Sequence, residues 1–337
     1  MEFIKKNAPQ YKANLHCHST ISDGKLTPAQ LKEAYKSAGY SVLCITDHEY
    51  PYNHSAMTEK DFLMLTGYEA YIRKFENCVG EVYTPEIHLN LIAKEVDNLA
   101  YVCWNDACCK YESDPAKREA FKKVGSQETR RYTAEYINKF VKTAIDNGYL
   151  CTHNHPAWSL EDWTQIEQYE GFFSMEMFNY SANLINGIEY NARLYDHLLR
   201  KGKRIFCHSA DDNHNGRPFG DPACDSFGGF TMILAENLDY SSVISALEKG
   251  NFYSSMGPVI KSLKIEPTKL SIECEGAKQV IVHLGGRKTL KAFGNKENPL
   301  TEASFDITDD YKYIRVTVVD FEGKCADTRA FFPDEIG

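Results

Sequence analysis

Ten residues near the start of the chain, Asn14-Leu15-His16-Cys17-His18-Ser19-Thr20-Ile21-Ser22-Asp23, carry side chains better suited to holding metal ions than to building a core. If residues 13–18 run as a strand, side chains two apart share a face, so His16 and His18 present their imidazoles side by side and Cys17 points away. Asp23 follows, and Gly24 behind it permits a tight turn that brings a carboxylate back over the strand end. A lone His-x-His is common by chance, but here the pattern repeats. Thr46-Asp47-His48, Asn154-His155-Pro156 and Asp212-Asn213-His214 each end an apolar run, where a buried strand should meet a loop. With Glu69 and His88 the set comprises six imidazoles (His16, His18, His48, His88, His155, His214) and three carboxylates (Asp23, Glu69, Asp212). A catalytic zinc-type site uses about three protein ligands and an open position, so this set suits two or three divalent ions. Imidazole and carboxylate donors without a thiolate fit zinc, manganese or iron.

The elements that must position these groups alternate along the chain. Thr27-Pro28 reads as an N-cap followed by a first-turn proline, and Leu31, Ala34, Tyr35 and Ala38 keep helical spacing up to Gly39. Val42 to Thr46 is then a buried strand, Phe62 to Thr66 a third that delivers Glu69, and Ile87 to Ala93 a fourth that carries His88. Tyr136, Phe140, Val141, Ala144 and Ile145 mark one face of a long helix that stops at Gly148. Tyr149 to Thr152, Phe172 to Phe178 and Ile205 to His208 complete seven strands. Strand and helix alternation implies parallel strands with helices outside, and ligand types at most strand ends favour a barrel over a flat doubly wound sheet. Residues 97–131 mix aromatics, cysteines and charges without a period and read as an insertion near one end, where loops shape substrate choice. Beyond Gly257-Pro258 short alternating runs such as Leu263-Lys264-Ile265 and Val280-Ile281-Val282 predict antiparallel strands. The expected division is therefore an α/β barrel over residues 1–257 and a small all-β, sandwich-like domain over 258–337.

Composition bounds the function. The chain has 337 residues, 43% of them hydrophobic, enough for a sizeable core. A formal charge of -9 and a pI near 5.7 disfavour a stable grip on nucleic acid, which needs a basic surface. The 11 cysteines are scattered in apolar runs and read as reduced thiols. Cys103, Cys108 and Cys109 form the one local group, with no second pair to complete a zinc site. Residues 1–10 contain no apolar signal core and no run of about 20 apolar residues occurs, so a cytoplasmic protein without a membrane span is expected.

The quoted motifs resemble the PHP superfamily, the polymerase and histidinol phosphatase domain. The likeness runs through Leu15-His16-Cys17-His18-Ser19, Ser22-Asp23-Gly24, Leu26-Thr27-Pro28 and Ile45-Thr46-Asp47-His48, then resumes at Glu69, His88, His155-Pro156 and Asp212-Asn213-His214. It spans most of residues 12–257 and is closest to the metal-dependent phosphoesterase branch. The resemblance implies a distorted seven-stranded (β/α)7 barrel. It implies His16, His18, Glu69 and Asp212 around one ion, Glu69, His88 and His155 around a second, and Asp23, His48 and His214 around a third. It further implies hydrolysis of a small phosphorylated metabolite or nucleotide by a metal-held hydroxide, with no separate protein nucleophile. One departure stands out: family members commonly carry a serine before the final Asp-x-His, where this chain has Asp211. Strand parity favours Asp212 as the ligand, leaving Asp211 as a partner behind it or a rival.

Other residues enter as supporting candidates. His153 shares its expected face with His155 and is its rival; the resemblance favours His155, because Pro156 follows it as in the family motif. Glu176 can orient a metal-bound histidine. Arg217 and His208 are the candidates for the substrate, Arg217 because guanidinium pairs with phosphoryl oxygens, and Arg130 and Arg131 are weaker ones. The competing readings are an amidohydrolase-like hydrolase, a barrel family that also opens with His-x-His, and a non-catalytic module that holds metal while its β domain engages a partner.

Overall fold

The computed structural model describes residues 1–74, 83–308 and 310–336. Its α-helices are α1 (Pro28–Ser37), α2 (Pro115–Ala120), α3 (Ala134–Asp146), α4 (Trp163–Ile166), α5 (Tyr180–Asn186), α6 (Ala192–Arg200), α7 (Tyr240–Glu248) and α8 (Pro333–Ile336). Helix α1 begins where its sequence predicts. The Thr27 hydroxyl accepts from the Gln30 N–H and the Gln30 side chain accepts from the Thr27 N–H, which satisfies two otherwise orphaned donors. Helix α3 turns Tyr136, Ile137, Phe140, Val141 and Ala144 inward and gives way to Gly148 at φ +82°, a left-handed position that glycine takes without strain. No helix among the described residues is long and apolar enough to cross a membrane.

Strands are numbered in chain order. The largest sheet runs from edge to edge as β10 (Phe206–Ala210), β9 (Ser174–Asn179), β8 (Tyr149–His153), β5 (Glu86–Ala93), β4 (Leu63–Arg73), β3 (Val42–Ile45), β2 (Tyr11–Asn14), β11 (Phe230–Ile233), β12 (Phe252–Ser255), β19 (Cys325–Thr328), β18 (Arg315–Val319), β15 (Gln279–His283) and β16 (Thr289–Phe293). A second sheet joins β1 (Glu2–Ile4), β13 (Ile260–Glu266), β14 (Lys269–Ala277) and β17 (Leu300–Asp306), and a short pair joins β6 (Tyr101–Val102) to β7 (Lys123–Val124).

The protein is thus a mixed α/β fold with large sheets, and the expected (β/α)7 barrel is corrected in two respects. Strands β2, β3 and β4 are parallel, as are β8, β9 and β10, but β5 runs antiparallel to both β4 and β8, and β2 runs antiparallel to β11. The ladder also does not close among the described residues. Edge strand β10 instead lies beside β11 and β12 through side chains: Thr231 Oγ1 donates to the Ser209 carbonyl (2.9 Å), and the Ser209 and Ser254 hydroxyls are 2.6 Å apart. The antiparallel β5 explains how His88 reaches the same rim as the other candidates. It stands near the start of its strand, opposite Tyr71 on β4, whose eleven residues overrun the expected end at Thr66 and place Glu69 at mid-strand.

Beyond Gly257 the strands are antiparallel, as their alternation predicts, but they are divided between the two sheets. Leu263, Ile265, Leu270 and Ile272 of the smaller sheet share one apolar core with Val280, Val316 and Val318, and with Leu43, Phe62 and Met64 behind the candidate site. Burial of each such side chain contributes about 1.5–3 kcal/mol, so this shared core ties these strands to the site-bearing part. The ten described cysteines are all free.

Candidate metal centre

The segments that follow β2 and β10 meet at the rim. His18 N–H donates to the Asn213 carbonyl (3.1 Å) and Asp212 N–H to the His16 carbonyl (2.9 Å), a short parallel bridge that sets Asp212 beside the His-x-His pair. The turn through Asp23 is held by Asp47, whose carboxylate accepts from the Ser19 and Ser22 N–H groups (2.7 and 3.1 Å) and from both hydroxyls (2.6 Å each). Gly24 is required by close approach, since a Cβ there would stand 2.3 Å from the His18 carbonyl oxygen. Non-glycine residues at this rim also adopt left-handed φ: His155 (+24°), Asp212 (+53°) and Glu49 (+52°). Such conformations cost about 1–3 kcal/mol each and persist where the surroundings over-determine them, commonly at functional sites.

All nine expected ligands come together. His16 Nε2 lies 3.2 Å from His18 Nε2, 3.2 Å from Glu69 Oε1 and 3.1 Å from Asp212 Oδ1, and His18 Nε2 lies 3.0 Å from Asp212 Oδ1. Donors about 2.1 Å from one cation stand about 3.0–3.4 Å apart, so these spacings match a shared ion. Glu69 Oε1 is 3.2 Å from His88 Nδ1 and 3.4 Å from His155 Nε2, and Glu69 Oε2 is 3.0 Å from His48 Nδ1. Asp23 sits 3.6 Å from His48 and 3.5 Å from His214. Three overlapping groups have the donor types and proximity for a cation: His16, His18, Glu69 and Asp212; His48, Glu69 and His88; His18, Asp23, His48 and His214.

Several imidazoles are oriented from behind. Glu176 Oε1 lies 2.8 Å from His16 Nδ1, and its other oxygen accepts from the His155 N–H (2.8 Å) and the Asn179 amide (2.8 Å). His214 Nδ1 faces the Asp212 carbonyl at 2.9 Å. A carboxylate and a carbonyl can only accept here, so Nδ1 carries the proton in His16 and His214, and each Nε2 lone pair is left for a cation. Atoms within the cluster are less well served: His48 Nδ1, Glu69 Oε2 and His88 Nε2 are buried without a hydrogen bond. Burial would push the His18 and His88 imidazoliums down, but the Asp212 and Glu69 carboxylates around His18, and Glu69 and Glu86 around His88, raise both to about 10. Glu69 itself is held well below the usual range, because the facing histidines outweigh its burial. Without ions, protons supply the positive charge that this pocket demands.

The supporting candidates separate. Asp211 turns away from the cluster and accepts from the Phe227, Gly228 and Gly229 N–H groups (2.7, 2.9 and 2.8 Å) and from Tyr35 (2.7 Å), and burial pushes it up to about 6. His153 also points elsewhere, against expectation. The turn of backbone at His155 breaks the two-residue alternation, and His153 pairs with Glu161 (2.6 Å) in a separate cavity of about 210 Å³. His208 is buried against Ser174 (2.8 Å), pushed down to about 4 by burial, and Arg217 is exposed; neither is among the residues that line the cavity over the ligands. Arg130 is buried in a two-pronged pair with Glu49, and Arg131 is a surface charge near Glu128. Sequence reasoning missed Asn154, whose amide donates to Glu69 Oε1 (2.9 Å), and Asp225, which accepts from the His214 and Asn215 N–H groups (2.7 and 3.0 Å). Asn154 adjoins His155 in a quoted motif, a signal that was present but unused.

From the 97–131 segment, Tyr111 stacks at 6.1 Å on His48 and donates to Asp23 Oδ2 (3.2 Å), while Trp158 packs edge-on against His88 and His155. A cavity of about 450 Å³ opens over the cluster, lined by seven of the nine candidates and by Trp158, Ser181, Ala182, Leu184, Ile185, Gly216, Ala223 and Asp225.

Comparison with known proteins follows the same residues. A family model described as the PHP domain matches residues 14–184. No curated protein matches the chain. Among solved structures, a two-domain protein from Bacteroides vulgatus containing a predicted PHP-like metal-dependent phosphoesterase is 14% identical, with 94% of each chain covered and a TM-score of 0.45. A protein from Bifidobacterium adolescentis, provisionally named a metal-dependent phosphoesterase, is 14% identical over 65% of this chain and 94% of its own, with a TM-score of 0.35. An amidohydrolase from Chromobacterium violaceum, solved with sulfate and no metal, is 16% identical over 60% of this chain and 87% of its own, with a TM-score of 0.40. With more than half of its residues inside the PHP domain match, the chain belongs to the PHP family.

Proposed function

We propose that this protein is a metal-dependent phosphoesterase that hydrolyses a small phosphate ester, using two or three divalent cations of the zinc, manganese or iron kind. One observation carries the reading: a single buried carboxylate, Glu69, lies 3.0–3.4 Å from nitrogens of five imidazoles, those of His16, His18, His48, His88 and His155. No hydrogen-bonding scheme satisfies five imidazoles around one carboxylate, whereas cations between them would. Held there, divalent ions lower the pKa of water toward neutrality and offset charge on phosphoryl oxygens.

The chain's own residues do the rest. His16, His18, Glu69 and Asp212 would hold one ion, Glu69, His88 and His155 a second, and Asp23, His48 and His214 a third. Glu176 fixes the His16 ring and the His155 backbone, so two ligand sets keep register through one carboxylate. Tyr111 and Trp158 flank the cluster. Residues 1–257 are read as the unit that carries the chemistry, with 258–337 as its β brace.

The test is metal analysis of the purified protein together with turnover of phosphate esters set against amides and cyclic amides. Bound metal with phosphate release is the expected result. Amide hydrolysis without phosphate release would convert the assignment to an amidohydrolase, and tight metal with no turnover would leave a metal-holding module.

A further inference from the structure

The cavity over the cluster says something about what is attached to the phosphate. Beside the ligands it is lined by Trp158, Ala182, Leu184 and Ile185, and no lysine or arginine is among its described lining. Residues 75–82, 309 and 337 contain no lysine or arginine either. The two aliphatic side chains are open to water: Leu184 is 40% and Ile185 71% exposed, adjacent on α5. Exposed large apolar neighbours facing a cavity gain free energy only when apolar surface covers them. The lining charge outside the ligand set is Asp225, immobilised by backbone N–H groups of His214 and Asn215. A second phosphate, or a nucleotide's polyanionic tail, would therefore meet a fixed carboxylate and no cationic side chain.

We propose, resting on the phosphoesterase reading, that the substrate is a monophosphate ester of an apolar alcohol, aryl or branched alkyl. Its phosphoryl group takes the ligand end of the cavity and its organic group lies against Trp158, Leu184 and Ile185. In the reaction a water oxygen bonds to phosphorus as the P–O ester bond breaks. One water proton passes to the departing oxygen, giving inorganic phosphate and the free alcohol.

The experiment uses the full-length, metal-loaded protein. Calorimetry compares phenylphosphonate with methylphosphonate, and kinetics compare cyclohexylmethyl phosphate with a hexose 6-phosphate and a nucleoside bisphosphate. The first two esters both release a primary alcohol, so intrinsic reactivity is similar. Phenylphosphonate is expected to bind at least about tenfold tighter than methylphosphonate, a discrimination of the size apolar pockets give, and the cyclohexylmethyl ester to show the highest kcat/KM. The Leu184→Asp, Ile185→Asp double variant, altered only at exposed positions, should lose that preference while retaining its metal. Equal phosphonate affinities, a preference that survives the double substitution, or faster turnover of the sugar or nucleotide would overturn the apolar-alcohol inference and leave the phosphoesterase reading intact. No hydrolysis of any ester by protein that holds its metal would end both.

Discussion

Two of the buried charge clusters among the described residues are finished in opposite ways. Behind the site, Arg315 on β18 grips Asp196 of α6 with two bonds of 2.7 Å and reaches Asp327 of β19 at 3.1 Å. Thr317 and Tyr190 donate to the Asp327 oxygens (2.6 and 2.9 Å), and Tyr313 donates to Asp196 (2.8 Å). Guanidinium, carboxylates and hydroxyls complete one another there. At the rim, imidazoles and carboxylates crowd together, yet Glu69 Oε2, His48 Nδ1 and His88 Nε2 lack hydrogen bonds. A buried polar cluster satisfied from within is structure; one that is buried and left incomplete is built around something the chain does not supply.

That contrast is open to attack from either side. The largest effect belongs to Glu69→Ala, which removes the carboxylate common to two of the three ligand groups. Phosphatase activity should fall by about a thousandfold or more and bound metal should drop, with far-UV circular dichroism of the chelated protein unchanged; activity retained at wild-type metal content would refute the assignment. Arg315→Met should do the reverse. Two carboxylates lose their buried partner, and breaking such a pair costs about 3–5 kcal/mol, readable as a lower urea midpoint in chelator. Metal stoichiometry should stay at the wild-type value, and a loss of metal in soluble, folded protein would show that the two clusters are not separate.

Much of the rim was legible because ligand types at strand ends have few structural uses in combination. His16, His18, His48, His155 and Asp212 all follow apolar runs, and spacing pointed to them, with the family motif deciding for His155 over His153. The direction of β5 was not legible. A strand buried on both faces reads as the same apolar run whether its neighbours are parallel or antiparallel, so Ile87 to Ala93 carried no sign that it breaks the barrel pattern. Parity failed at His153 for a local reason, the left-handed backbone at His155, which no periodicity reports. Arg130 reads as a weaker substrate candidate at a helix start, and its burial against Glu49 depends on a contact between distant parts of the chain. The same holds for Asp47 and Asp225, whose roles are set by which backbone N–H groups face them.

Glu176 sharpens the comparison at intermediate size. It belongs to the rim but is satisfied like the Arg315 cluster, bonded to His16, the His155 backbone and Asn179. Glu176→Gln preserves its shape and weakens its hold on the His16 proton. Metal affinity should fall by about 10–100-fold in a competition titration with a chelator, while the urea midpoint of the metal-free protein moves less than it does for Arg315→Met. An unchanged affinity would make Glu176 a packing residue.

The smallest expected effect is a proton count, and it follows from the sign of the shifts. His18 and His88 are raised to about 10 in the metal-free fold, so their contribution to stability is full below the ordinary imidazole value of about 6.5 and is lost as pH rises through about 10. A cation needs the neutral ring, and must displace those protons. Metal uptake near pH 7.5 should therefore release protons, seen by calorimetry in buffers of different ionisation enthalpy, and affinity should tighten with pH. Over the same window the metal-free protein should lose thermal stability as Glu69 and Asp212 are left facing neutral rings, whereas the loaded protein, its carboxylates still opposed by cations, should not. Uptake without proton release would mean that the rim already holds its histidines neutral, and the incomplete cluster would then owe its missing charge to something other than a metal ion.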